Sequence, residues 1–95
     1  MRNFGADGHH HLSLTGEYDI ARRAELTALF ESLTDGNALT IDMSEVTYVD
    51  STFLGELATM RLRRGELSVT LVGVQPNVAR VLQLAKLDRF FNFAE

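Results

Sequence analysis

One ten-residue stretch constrains this chain more than any other: Val46-Thr47-Tyr48-Val49-Asp50-Ser51-Thr52-Phe53-Leu54-Gly55. It follows a short apolar segment, Ala38 to Asp42, that reads as a strand, and it opens an amphipathic helix running to about Arg64. An acid followed by a hydroxyl at such a junction has two readings. As a cap, Ser51 accepts a hydrogen bond from an orphan N–H of the first helical turn. As a phosphoserine it carries about −1.5 to −2 charges, and the positive end of the helix dipole stabilises an anion there. The residues alone leave both open.

The remaining pattern repeats the strand-then-helix order. Met1 to Gly8, with Phe4 as its one apolar anchor, reads as a loose start. Alternation along His9 to Leu14 puts His10, Leu12 and Leu14 on one strand face and His9, His11 and Ser13 on the other. Gly16 is expected to break this strand, and Asp19 to cap a helix whose apolar stripe is Ile20, Ala24, Leu26, Ala28, Leu29, Phe30 and Leu33. Thr34-Asp35-Gly36-Asn37 is a turn cluster. Met43 to Val49 is expected to connect the second strand to the second helix, whose buried stripe is Phe53, Leu54, Leu57, Ala58, Met60 and Leu62, with Gly65 as terminator. Leu67 to Val72 is the clearest strand, and Pro76 suits the first position of a third helix carrying Val78, Val81, Leu82 and Ala85. Three strand–helix pairs give an α/β pattern with right-handed crossovers and a mostly parallel sheet.

At 95 residues the chain is expected to be one domain, 1–95, with a modest core. The 45% apolar and 23% charged fractions are ordinary for a soluble globular protein. A net charge of −4 argues against a nucleic-acid surface, and the basic cluster Arg61, Arg63 and Arg64 suits a helix C-terminus. With no cysteine there is no disulfide framework or thiol chemistry. No apolar run approaches the ~18 residues of a membrane span and no signal peptide is evident. The expectation is a cytoplasmic protein without direct membrane contact.

Enzyme chemistry is not expected. Asp50-Ser51 lacks the flanking glycines of a nucleophile turn, and the only lysine, Lys86, is in no phosphate-binding loop. His9-His10-His11 has no Cys, Asp or Glu at ligand spacing and reads as solvated strand-edge histidines. Asp19, Asp42 and Asp50 fall near strand carboxyl ends, where α/β folds place sites, but two caps and one solvated acid account for them without a metal. No cofactor is expected.

Four pieces, in order, carry a family resemblance. Asp50-Ser51-Thr52-Phe53-Leu54-Gly55 resembles the Asp-Ser-Ser-Gly-Leu-Gly signature of STAS domains, the anti-sigma factor antagonists, and Leu14-Thr15-Gly16-Glu17-Tyr18-Asp19 resembles their Leu-Thr-Gly-Glu-Leu-Asp strand exit. Ile41 to Val46 is similar to the central strand and its exit, and Val72 to Leu82 with Leu87 to Phe91 to the last strand and helix. The resemblance implies a single STAS domain: a small, mostly parallel sheet of about four strands with helices mainly on one side. It also implies that this copy is short of the family's N-terminal strand and C-terminal helix, so that either the chain is a trimmed piece or Phe91 and Phe93 are left partly exposed for a partner.

What the resemblance implies functionally is partner switching. The partner is an anti-sigma factor serine kinase; Ser51 is the phospho-acceptor, a phosphatase reverses the modification, and transcription is regulated indirectly. Asp19, Asp50, Ser51, Thr52, Phe53 and Gly55 form the implied docking surface, and a weak homodimer is compatible. The alternative is a STAS module that binds without phosphorylation, as a stress-complex scaffold, a lipid-transport accessory, or a domain of a larger sensor or transporter. Phe53 stands where the family has glycine. Because a glycine implies no cavity waiting to be filled, its ring is expected to be partly exposed.

Overall fold

A computed structural model describes residues 9–33, 37–65 and 67–95; the loose start at Met1 to Gly8 and Thr34-Asp35-Gly36 of the turn cluster lie outside them. One sheet holds four parallel strands in chain order, β1 (His9–Tyr18), β2 (Ala38–Val49), β3 (Ser68–Val72) and β4 (Asn92–Ala94). Parallel neighbours need long crossovers. Helices α1 (Arg23–Glu31), α2 (Ser51–Arg63) and α3 (Pro76–Leu84) supply them, with short 3-10 turns at Ile20–Arg22 and Asp88–Phe90. This is the expected α/β class.

Paired residues of parallel strands face the same way, so register sorts the two faces. His10 and Leu12 align with Leu39 and Ile41, which align in turn with Val69 and Leu71. These positions join Leu26 and Phe30 of α1, Phe53, Leu57 and Met60 of α2, and Val78 and Leu82 of α3 around one buried cluster. All three helices therefore cover the same face. The opposite face carries His9, His11, Ser13, Thr40, Asp42 and Thr70, exposed or half-buried. Burying a Leu or Ile is worth roughly 1.5–3 kcal/mol, which a one-residue slip of register would forfeit at every position.

Several local expectations are corrected. Gly16 does not end β1; at φ 85° it absorbs an irregularity in the β1–β2 register, and pairing resumes through Tyr18 and Val49. β2 does not stop at Asp42 but continues to Val49, its last part pairing with β1 alone. Along that part Gln75 Nε2 donates to the Ser44 carbonyl at 3.0 Å and Asn77 Nδ2 to the Thr47 carbonyl at 2.9 Å, so the start of α3 replaces β3 as neighbour. Gly73, at φ 68°, makes that turn possible, since a Cβ there would lie 2.9 Å from the Ser44 Cβ. Ile20 and Leu62, placed in buried stripes, are 72% and 82% exposed. His10 is buried rather than solvated, with its ring on the core face of β1. Phe91 is buried, while Phe93 on β4 remains partly exposed.

Candidate functional site

The candidate site is built where β1 and β2 end side by side. Tyr18 pairs with Val49, and the next residues, Asp19 and Asp50, turn the chain from sheet to helix. Their backbones are nearly superposable in dihedral space, φ −125°, ψ −169° at Asp19 and φ −123°, ψ −171° at Asp50. A further bond, Asp50 N–H to the Tyr18 carbonyl at 3.2 Å, ties the two turns together.

Both carboxylates point back onto their own helices. Asp19 Oδ1 accepts from the Ala21 N–H at 3.0 Å. Asp50 Oδ1 accepts from the N–H groups of Thr52 at 2.9 Å and Phe53 at 3.2 Å, and its carbonyl accepts from Leu54 N–H at 3.1 Å. The cap is therefore Asp50, not Ser51. Ser51 is the exposed first residue of α2, and its hydroxyl makes no hydrogen bond to a described residue. Three N–H groups of the first turn are already taken by Asp50, so a phosphate on Ser51 would find no waiting cradle of these donors, contrary to the simplest helix-terminus picture.

Thr52 is half-buried, and Gly55 is exposed one turn beyond Ser51 on the same side of α2. A Cβ at Gly55 would touch nothing within 4 Å, so this glycine serves no close packing inside the fold. Phe53 is the clear correction: its ring is 1% exposed, not partly exposed, and lies in the core. Sequence reasoning missed its partner. The Phe53 and Tyr18 rings are tilted together, 5.5 Å between centroids. These are the positions where the signature has glycine and the strand exit has leucine, so two departures from the motifs answer one another in space. Noting both together was the signal available.

Arg22 closes this arrangement from outside. Its guanidinium lies 3.9 Å over the Tyr18 ring, donates to Tyr18 Oη at 3.1 Å, and donates to the Thr15 and Glu17 carbonyls at 2.6 and 3.3 Å. A two-pronged pair with Glu25, at 2.7 and 3.1 Å, holds that carboxyl below the usual range. Asp42, the third expected acid, is not part of the site. It lies eight residues before Asp50 on β2, where it accepts from Ser44 N–H and Oγ at 2.9 and 2.7 Å, bonds that lower its carboxyl from the ordinary value.

Comparisons with known proteins bear on the family and the fold. A family profile described as "Mlab, STAS domain" matches residues 3–93. The chain belongs to the STAS domain family. Its structure is similar to the unphosphorylated form of the anti-sigma factor antagonist SpoIIAA, at 20% identity and a TM-score of 0.75, covering 95% of this chain and 83% of that one. It is also similar to the STAS domain of a SulP transporter from Vibrio cholerae, at 16% identity and a TM-score of 0.72, covering 97% and 76% of the two chains. No curated protein matches the sequence. STAS domains are in general binding modules, and among the described residues no helix is long and apolar enough to cross a membrane.

Proposed function

We propose that this chain docks a protein partner through the surface around Ser51, and that phosphate on Ser51 releases the partner. The observation that carries this reading is the position of Ser51, exposed at the head of α2 with a hydroxyl that bonds to no described residue, while Phe53 turns away into the core. The bulky neighbour leaves a kinase's approach clear. The similarity to SpoIIAA supports an anti-sigma factor serine kinase as partner, with a phosphatase restoring binding and transcription regulated indirectly. The mechanism is electrostatic. A group of about −1.5 to −2 charges replaces a neutral hydroxyl beside Asp50 and Asp19, on a surface that docking must desolvate.

Incubation with ATP and any serine kinase found encoded beside its gene, followed by mass spectrometry, is expected to place phosphate on Ser51 and not on Thr52. By calorimetry Ser51→Asp should weaken partner binding at least tenfold while Ser51→Ala stays near wild type. Equal affinities would remove the electrostatic mechanism. The "Mlab" family description and the transporter domain favour a second reading, a module that binds without phosphorylation. Absence of phosphate with every neighbouring kinase would select it.

A further inference from the structure

The far end of α2 carries a different chemistry. Arg61 lies ten residues beyond Ser51, about 15 Å along the helix at ~1.5 Å per residue. There the last turn of α2, the start of β3 and the Asp88–Phe90 turn surround an open pocket of about 310 Å³. Arg61, Arg89, Ser68 and Asn92 line it, and among the described residues no Asp or Glu does. Arg61 is held in place by donating to the Phe90 carbonyl through Nε and the Gly65 carbonyl through Nη1, both at 3.2 Å. A guanidinium has five N–H donors, so three are not used by described residues. Neither Arg61 nor Arg89 forms an ion pair with a described residue, whereas Arg22, Arg23 and Arg63 do.

A second, apolar cavity of about 140 Å³ adjoins it, sharing Arg61, Phe90 and Phe91 and adding Ala58, Leu62 and Leu87. Leu62 and Phe90 on its rim are two of the most exposed large apolar side chains of the fold. Small-molecule sites run from ~300 Å³ upward, so this cavity accepts one side chain and not an extended acyl tail. We propose that this end of α2 binds an acidic peptide segment of a protein partner, one apolar side chain in the cavity and a neighbouring carboxylate at Arg61 and Arg89. Charge complementarity selects the occupant: two arginines that pair with no described acid, beside an apolar anchor point, favour a segment that joins a Leu or Phe to Glu or Asp.

The test is an NMR titration of the full chain with a short peptide carrying one leucine followed by two glutamates. Saturable shifts are expected at Arg61, Leu62, Ser68 and Phe90, with none at Ser51. Replacing the glutamates by glutamines should weaken binding about tenfold. Arg89→Glu should weaken it about fivefold; Arg89 makes no side-chain bond to a described residue, so that variant keeps its fold. Binding of the Ser51→Asp variant should stay within twofold of wild type, which separates this site from the docking surface. Absence of saturation at millimolar peptide, equal binding of the glutamine peptide, or saturation by dodecyl phosphate where the peptide fails would each overturn the proposal.

Discussion

The two turns at Asp19 and Asp50 begin alike and end differently. Both follow paired strand ends, and both use an aspartate cap with the same backbone angles. After Asp19 comes an exposed isoleucine and a three-residue 3-10 turn; after Asp50 come an exposed serine and a 13-residue helix. The capping geometry is thus not what distinguishes a candidate switch position from an ordinary turn. What differs is the outward residue and how firmly the next turn is anchored. α2 is nailed down two residues past Ser51 by Phe53, whereas no residue of the Ile20–Arg22 turn is buried.

The sharpest way to break that comparison is to remove the anchor. Phe53→Ala is expected to cost about 3–5 kcal/mol, a drop of tens of degrees in a thermal melt at ~4–8 °C per kcal/mol for a domain of this size. Ile20→Ala should change the melt by less than about 0.5 kcal/mol, as exposed substitutions do. In a double-mutant cycle, Tyr18→Leu should cost less in the Phe53→Gly background than in wild type, because the two rings pack on each other. Additive losses would dissolve the pairing.

The caps themselves should separate next. Asp50→Ala removes the acceptor of two N–H bonds on a long helix and is expected to cost about 1–2 kcal/mol. Asp19→Ala loses one bond on a short turn, with an expected cost of about 0.5–1 kcal/mol. Urea unfolding at neutral pH measures both; equal costs would make the turns equivalent. Gly55→Ala should stabilise by up to ~1 kcal/mol, since nothing crowds its Cβ and helical glycine is unfavourable. A loss of partner affinity in the same variant would assign Gly55 to docking.

The smallest effect concerns Asp42, which uses its carboxylate like the caps but within β2, where its register against β1 shifts. Its carboxyl is lowered by the Ser44 N–H and then the Ser44 hydroxyl. A depressed folded-state value means its stabilisation is present above the ordinary carboxylate range of about 4 and is lost as pH falls through the lower folded value. Asp42→Asn should therefore flatten the stability curve on the acid side of the ordinary carboxylate value of about 4, as followed by urea midpoints.

The α/β order was legible because helix and strand periods differ plainly, and Pro76 marked the first residue of α3 as expected. The length of β2 was not, because Asp42, Ser44, Glu45 and Thr47 interrupt the apolar run where only one neighbouring strand remains. β4 is three residues on an edge, too short to show a period. Asp50 and Ser51 were legible as a capped helix start, but not which of them capped; an aspartate one residue earlier reaches the same N–H groups. Phe53 misled because a small residue in a family motif does not fix how the rest of this core is filled, and here the ring packs inward against Tyr18.

The clamp of Gln75 and Asn77 on β2 has a consequence for solubility. Val46-Thr47-Tyr48-Val49 is rich in β-branched and aromatic residues, the composition that zips onto a like strand when its edge lies open. It leads straight into Asp50-Ser51, so an open edge there would let copies of the chain compete with any partner for the same ground. Two side-chain amides occupy the edge carbonyls instead. Keeping this surface available for a visitor costs α3 its cap: Gln75 stands at the N-cap position but makes no capping bond, because its amide is spent on β2.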